Sequence, residues 1–334
     1  MRPATSHDVA RLAGVSQPTV SRALRDDPRV SQRTRERVRE AAAALGYVAS
    51  RRGRSLSTRT TGQVALVTGQ LANPFYSEAT KHLHAALTAA GHGVELLTEL
   101  PDGPPIAAER LLDGAVDGVI LTTTALDSRL PRQLAARGLP VVLFNRAVDD
   151  DAIDVCESDN AAGGRLVART LLELGHREIG AIFGPLDTST GRDRELAFRA
   201  VLADGGVALA DTRIRRGPFA HAAGHRAFGE LLAVARPPSA IFCANDVIAL
   251  GALNAAAGSG IAVPRDVTVV GFDDIAPAAW ELCRLTTVRQ DLAAMASATV
   301  RLLGERIAAP DLPGRRERIP VRLVRRGSHA APPR

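Results

Sequence analysis

Two textures divide the chain. Up to Tyr47 the apolar positions are mostly Ala and Val at helical spacing; from Gln63 onward short apolar runs alternate with amphipathic stretches. In the first part Val9, Ala10, Leu12 and Ala13 give one helix an apolar face. Ser6 is its expected N-cap, and Gly14 stands where the helix end needs a left-handed residue. Ser16 then caps a second helix with Pro18 in its first turn, where a missing N–H costs nothing. Val20, Ala23 and Leu24 pack back on the first helix and leave Gln17, Pro18, Ser21, Arg22 and Arg25 outside. A third helix is expected from Ser31 to about Leu45, with Val38, Ala41, Ala42 and Leu45 inward and Gly46 closing it. The first pair, with its tight turn, reads as a helix-turn-helix. Its second helix offers amide, hydroxyl and guanidinium groups, the chemistry suited to base edges and phosphates. Turn chemistry alone would also permit a small solvated hairpin; charge and context favour DNA.

In the second part the expected strands are QVALVTG, GVELLTE, DGVILTTT and PVVLFN, with a helix over 75–90 after the first. A second set opens at DVCESD. It continues through the helix NAAGGRLVARTLLELG, the strand EIGAIFG, a helix over 192–203, TRIRRG, a further helix, SAIFCAN, the helix DVIALGALNAAAG and VTVVGFDD. Alternation of this kind gives parallel, doubly wound sheets, and two sets of similar size predict two similar lobes. LTTVRQD, a helix over 292–308 and IPVRLVRRGS are too little for a domain of their own.

Composition sharpens this picture in three places. The chain has 334 residues, 46% hydrophobic but only 3% aromatic, so more than one aliphatic core is expected. Charge is uneven: residues 1–60 hold thirteen arginines against five acids, a net +8, while the rest carries 29 basic against 31 acidic residues. The basic excess therefore sits entirely where the helix-turn-helix can use it on phosphates. Cys156, Cys243 and Cys283 lie far apart with no CxxC pair, which argues for structural thiols rather than a disulfide frame or zinc knuckle. The N-terminus has no apolar leader and no run of about 18 apolar residues occurs, so a cytoplasmic protein with no membrane partner is expected.

Enzyme chemistry finds no footing. Walker A, HExxH and GxSxG are absent. His82 and His84 are two apart and face different ways. His221 and His225, four apart, share a helix face, but a lone pair rarely makes a metal site; no metal and no cofactor are expected. A cleft between two α/β lobes is instead the natural small-molecule site. Asn73, Asp159, Arg194, Asn245 and Asp273 fall at strand ends, where carboxylates, amides and a guanidinium suit vicinal hydroxyls of a sugar or polyol. Asn73, Asn245 and Asp159 serve equally well as helix caps, and Asp273 and Asp274 as loop residues.

DVARLAGVSQPTVSRAL followed by RVSQRTRERVREAAAALGY resembles the DNA-binding headpiece of the lactose-repressor (LacI/GalR) family. The resemblance extends over nearly the whole chain through ANPFY, GHREIGAIFGPL, CANDVIALGAL, VPRDVTVVGFDD, LTTVRQD and VRLVRRGS. It implies an all-α helix-turn-helix headpiece over 1–48 and a hinge over 49–61. A two-lobed, periplasmic-binding-protein-like (type I) effector domain over 62–327 and a tail over 328–334 would follow. Each lobe would be a doubly wound parallel sheet, the first from about 62–158 and 291–319, the second from about 159–290 and 320–327. The candidate DNA contacts are Thr5, Ser16, Gln17, Pro18, Thr19, Ser21, Arg22, Arg25, Arg29 and Ser31, with Arg51, Arg54 and Leu56 from the hinge. Leu56 is the lone apolar residue that would wedge into the minor groove. Relatives typically carry Pro, Asn and Ala where this chain has Ala49, Ser50 and Gly53, and a glycine costs a helix about 0.5–1 kcal/mol relative to Ala. The same resemblance assigns Asn73, Asp159, Arg194, Asn245 and Asp273 to the effector pocket and adds Phe75 and Phe219 as its apolar walls. A ligand-responsive, sequence-specific repressor is implied, binding double-stranded operator DNA as a homodimer, since no leucine heptad tail follows. A solute-binding protein of the same fold, or an α/β enzyme using the cleft, are the alternatives.

Overall fold

The computed structural model describes residues 4–24, 26–47, 60–99 and 106–333. The chain forms two compact units, Met1–Thr61 and Gly62–Arg334. In the first, helices α1 (Ser6–Ala13), α2 (Gln17–Ala23) and α3 (Gln32–Ala44) enclose Val9, Ala13, Val20, Ala23, Val30 and Val38. The N-cap of α1 is Thr5 rather than Ser6. Thr5 Oγ1 accepts from the Asp8 amide at 3.3 Å and Asp8 Oδ2 accepts from the Thr5 amide at 3.0 Å. Ser6 has Val9 three residues on and has no partner for such a reciprocal box. Gly14 closes α1 at φ +61°, and Ser16 and Ser31 cap α2 and α3. Leu12, expected inside, is 57% exposed. At 100° per residue it lies roughly 100° round the helix from the stripe of Val9, Ala10 and Ala13. Leu45 is also exposed, because α3 ends one residue before it.

The second unit opens with β1 (Gln63–Thr68), α4 (Pro74–Ala89), β2 (Gly93–Thr98), α5 (Ala108–Leu111), β3 (Gly118–Leu121), α6 (Leu130–Ala136), β4 (Val141–Phe144) and β5 (Asp154–Ser158). It continues with α7 (Asn160–Glu173), β6 (Ile179–Phe183), α8 (Ser189–Asp204), β7 (Ile214–Arg216), α9 (His221–Leu232), β8 (Ala240–Cys243), α10 (Asp246–Gly258) and β9 (Thr268–Val270). The last elements are β10 (Thr287–Arg289), α11 (Leu292–Ala308), β11 (Arg316–Ile319) and β12 (Arg322–Val324). One parallel sheet runs β11-β5-β4-β3-β1-β2 and the other, also parallel, β7-β6-β8-β9. DVCESD thus completes the first sheet instead of opening the second: β5 is paired on both sides, to β4 and to β11. β11 was hidden in a polar sequence, RERI, because it is an edge strand whose arginines face Glu157 on β5, Arg318 Nε at 3.1 Å. Of the three cysteines, Cys156 and Cys243 are buried, while Cys283 is only half-buried, in an irregular stretch outside the core.

The chain passes between the lobes three times: after β5, between the antiparallel β10–β12 ribbon and α11, and between β11 and β12. The ribbon belongs to the second lobe, where Val288 packs in its core and Asp273 bridges Arg289. The crossings are tied to one another. The Asp159 amide donates to Ile319 O at 2.9 Å, and Ser158 Oγ donates to Gln290 Oε1 at 2.6 Å. Within the second lobe α9 and α10 touch backbone to backbone: a Cβ on Gly224 would stand 1.9 Å from Ile248 O, and one on Gly251 2.1 Å from His221 O.

Candidate functional site

Each unit carries one site. On the first, Ser16, Pro18 and Arg22 are exposed on α2, with Gln17, Thr19 and Ser21 half-buried beside them. Several candidate hydroxyls already work in local structure. Thr5 Oγ1 donates to Asp8 Oδ2, and Ser16 and Thr19 share a hydrogen bond at 2.8 Å, as do Ser31 and Thr34 at 2.9 Å. Gln17 Nε2 reaches Ser6 Oγ at 3.4 Å. Arg29 forks onto Asp27 at 2.7 and 3.0 Å and holds that carboxyl well below the usual range. Arg22 is exposed and joins no ion pair among the described residues. Arg25, Arg51, Arg54 and Leu56 lie outside the described residues.

In the second unit the ends of β1, β4, β6, β8 and β9 converge on a narrow cleft between the lobes. Asn73, Phe75, Arg194, Phe219, Asn245 and Asp273 all line it. The two asparagines are caps and lining residues at once. Asn73 Oδ1 accepts from the Phe75 amide at 3.0 Å and Asn245 Oδ1 from the Ile248 amide at 2.9 Å. Capping occupies the carbonyl oxygen and holds the amide group rigidly at the cleft. Arg194, only 3% exposed, is fixed on three sides: Nε donates to Asn160 Oδ1 at 2.8 Å, Nη1 donates to Ala244 O at 2.7 Å, and Phe272 lies under the guanidinium at 3.6 Å. Its charge faces Asp273 at 3.5 Å. Asp273, at φ +124°, also accepts from Gln290 Nε2 at 2.7 Å.

Burial pushes the Asp273 carboxyl up to about 6, against the pull of Arg194. Behind it Asp246 is pushed further, to about 8, by burial and by the charge of Asp273. The two carboxyls titrate together, both held above the ordinary range by burial. Burial lowers the pKa of Arg194, yet a guanidinium remains protonated in protein surroundings.

Asp159 is not among the residues lining this cleft. Its Oδ1 accepts from the Ala162 amide at 2.7 Å as the cap of α7, and the adjacent Asn160 supplies the contact to Arg194 instead. Four lining residues were missed: Tyr76, Asn145, Arg146 and Thr190. Asn145 and Arg146 follow β4 directly, the same strand-end rule that picked out Asn73, and PVVLFNR shows it. Tyr76 packs edge-on against Phe75, ring centres 5.2 Å apart, and burial raises its hydroxyl pKa. Arg146 lies between the rings of Tyr76 and Phe219, 5.8 and 5.7 Å from their centres. Phe219 closes over Gly184, where a Cβ would stand 2.3 Å from its ring. His221 and His225 stack at 6.4 Å on the exposed face of α9. Among the described residues no group of three or more metal-ligating side chains is gathered. No helix among them is long and apolar enough to cross a membrane.

A helix-turn-helix followed by two α/β lobes around a polar cleft defines a ligand-responsive DNA-binding regulator. Residues 5–50 match the family model described as bacterial regulatory proteins, lacI family, and residues 168–329 match a periplasmic binding protein-like domain. The chain belongs to the lacI family, whose members are transcriptional repressors and regulators rather than enzymes. It is 37% identical to the HTH-type transcriptional regulator CelR of Thermobifida fusca, covering 97% of this chain and 96% of that protein. It is 32% identical to the ribose operon repressor of Escherichia coli K12, covering 97% and 99%. Among solved structures, a lac repressor dimer bound to operator and the anti-inducer ONPF matches with a TM-score of 0.89 at 28% identity, over 99% of this chain and all of that one. A CelR–cellobiose complex matches with a TM-score of 0.74 at 34% identity, over 97% and 99%.

Proposed function

We propose that the chain is a cytoplasmic, sugar-responsive repressor that binds a pseudo-palindromic operator as a dimer. Gln17, Pro18 and Arg22 read base edges in the major groove, and the flanking hydroxyls and arginines set the register on phosphates. Residues 1–48 form the reading head, 49–61 the hinge with its Leu56 wedge, and 62–327 the effector and dimerisation part. The relatives support the operator, dimer and sugar parts of this reading: one structure is a repressor dimer on its operator, and another holds cellobiose. The observation that carries the effector assignment is the Arg194–Asp273 pair, buried, at 3.5 Å, and flanked by the capping amides of Asn73 and Asn245. A fork, a carboxylate and two fixed amides are a complete set for vicinal hydroxyls, with Phe75 and Phe219 for the apolar face of a ring.

Arg194→Ala should abolish the effect of ligand on operator binding and leave affinity in its absence within about threefold, because head and cleft are separate sites joined only by coupling. Calorimetry against a panel of mono- and disaccharides, including cellobiose and ribose, identifies the ligand for this comparison. A variant with wild-type ligand affinity would remove Arg194 from the pocket.

A further inference from the structure

Arg194 and Asp273 are joined twice. Directly, Arg194 Nη1 stands 3.5 Å from Asp273 Oδ1. Behind the wall of the cleft a second route runs between the same two residues. Arg194 Nε donates to Asn160 Oδ1 at 2.8 Å, and Asn160 Nδ2 donates to Ser158 O at 3.1 Å. Ser158 Oγ donates to Gln290 Oε1 at 2.6 Å, and Gln290 Nε2 donates to Asp273 Oδ1 at 2.7 Å. The five residues close a ring, and all five are buried. A guanidinium only donates and a carboxylate only accepts, so each amide has one orientation that satisfies both its neighbours.

Position gives the ring its use. Asn160, Ser158 and Gln290 are not among the residues lining the cleft, so none of them grips a ligand there. Ser158 ends β5 at the first crossing between the lobes and meets Gln290 on the second. It also pairs with Ile319, the residue from which the third crossing departs. The ring therefore leads from the two charged groups of the effector site to all three crossings. Its longest joint, at 3.5 Å, is the one between the two members that line the cleft, while the other four lie between 2.6 and 3.1 Å. A ligand hydroxyl set between Arg194 and Asp273 changes the spacing at that joint, and the short buried links pass the change on rather than break. We infer that Asn160, Ser158 and Gln290 are positioning residues that carry effector binding from Arg194 and Asp273 to the crossings. This rests on the sugar reading of the cleft and adds the route by which the cleft governs the lobes.

The test uses the full-length protein, its operator, and whichever of cellobiose, D-glucose and D-ribose binds it most tightly. Ser158→Ala and Gln290→Met each cut the ring away from the cleft. Both variants should keep ligand-free operator affinity within about threefold. By calorimetry each should lose no more than about tenfold in ligand affinity, the range for one neutral hydrogen bond. The factor by which saturating ligand changes operator affinity, about 5–150 in coupled proteins, should fall below about threefold. The double variant should lose no more ligand affinity than the worse single, since both residues are links of one chain. Wild-type coupling in either variant overturns the inference, and so do additive losses of ligand affinity in the double. Ligand affinity as low as that of Arg194→Ala, or loss of ligand-free operator binding in both variants, overturns it too, because the ring would then serve the pocket or the fold and not the link. If none of the three sugars binds the wild-type protein, the sugar reading falls and takes this inference with it.

Discussion

Arg22, Arg29 and Arg194 bring the same guanidinium into three surroundings, and the surroundings decide its use. Arg29 spends its fork on Asp27 two residues away, and Arg194 is locked among Asn160, Ala244 and Asp273. Arg22 alone of the three is exposed and joins no ion pair among the described residues, its charge acting on Asp27 only at longer range. Its planar fork fits guanine O6 and N7, so Arg22→Ala should cost about 1–3 kcal/mol and relax the preference at one base pair of each half-site. Affinity measured on an operator series with single substitutions checks this. Equal weakening on all sequences would make Arg22 a phosphate contact. The cleft shows how far single residues can be read in advance. Asn245 and Asp273 were legible because polar residues closely follow the apolar strands β8 and β9, whereas Asn73 caps α4 and Arg194 sits inside α8, where the family resemblance rather than a strand end marked them. Asp159 obeys the same pattern but turns its carboxylate to the start of α7, a direction that spacing does not encode. Asn145 follows β4 directly and obeys the same pattern, at φ +71° in the left-handed region that asparagine tolerates better than most residues.

At the scale of elements the helices were the most legible part. Ser16, Ser31, Pro18 and Gly14 mark their ends by chemistry that acts within three residues. The bounds of α10 and α11 also follow directly from DVIALGALNAAAG and the apolar period over 292–308. β11 was not legible, since its arginines serve Glu157 from another strand 161 residues away in sequence. Nor was the intimacy of α9 and α10, which depends on Gly224 and Gly251 facing backbone rather than on any apolar stripe. A methyl group at Gly224 has no room: its nearest neighbour, at 1.9 Å, would be a carbonyl oxygen that cannot move aside without its helix. Gly224→Ala should therefore destabilise the second unit by about 1–3 kcal/mol, the usual cost of overpacking, despite the better helix propensity of alanine. Urea denaturation followed by far-UV circular dichroism measures it, and a neutral or stabilising result would mean that α9 and α10 part readily.

For the whole molecule, the charge asymmetry predicts a division of labour. The net +8 of residues 1–60 against −2 for the remainder places nearly all phosphate attraction in the first unit. Operator affinity should fall steeply with salt, with a log–log slope of about −0.9 for each phosphate neutralised. A fragment beginning at Gly62 should lose DNA binding and keep its ligand. Retention of operator affinity by that fragment, in a fluorescence anisotropy titration, would contradict the assignment.

The three tied crossings between the lobes give the second unit a mechanical character. A lone tether lets one body swivel about another, whereas three fastened together, through Asp159 to Ile319 and Ser158 to Gln290, act as a strap with width. Such a strap resists torsion and shear and yields in bending, so the soft motion left to the lobes is a rocking about a single axis. It is also redundant. Cutting the chain at any one crossing leaves two connections, so a single proteolytic nick there need not part the lobes.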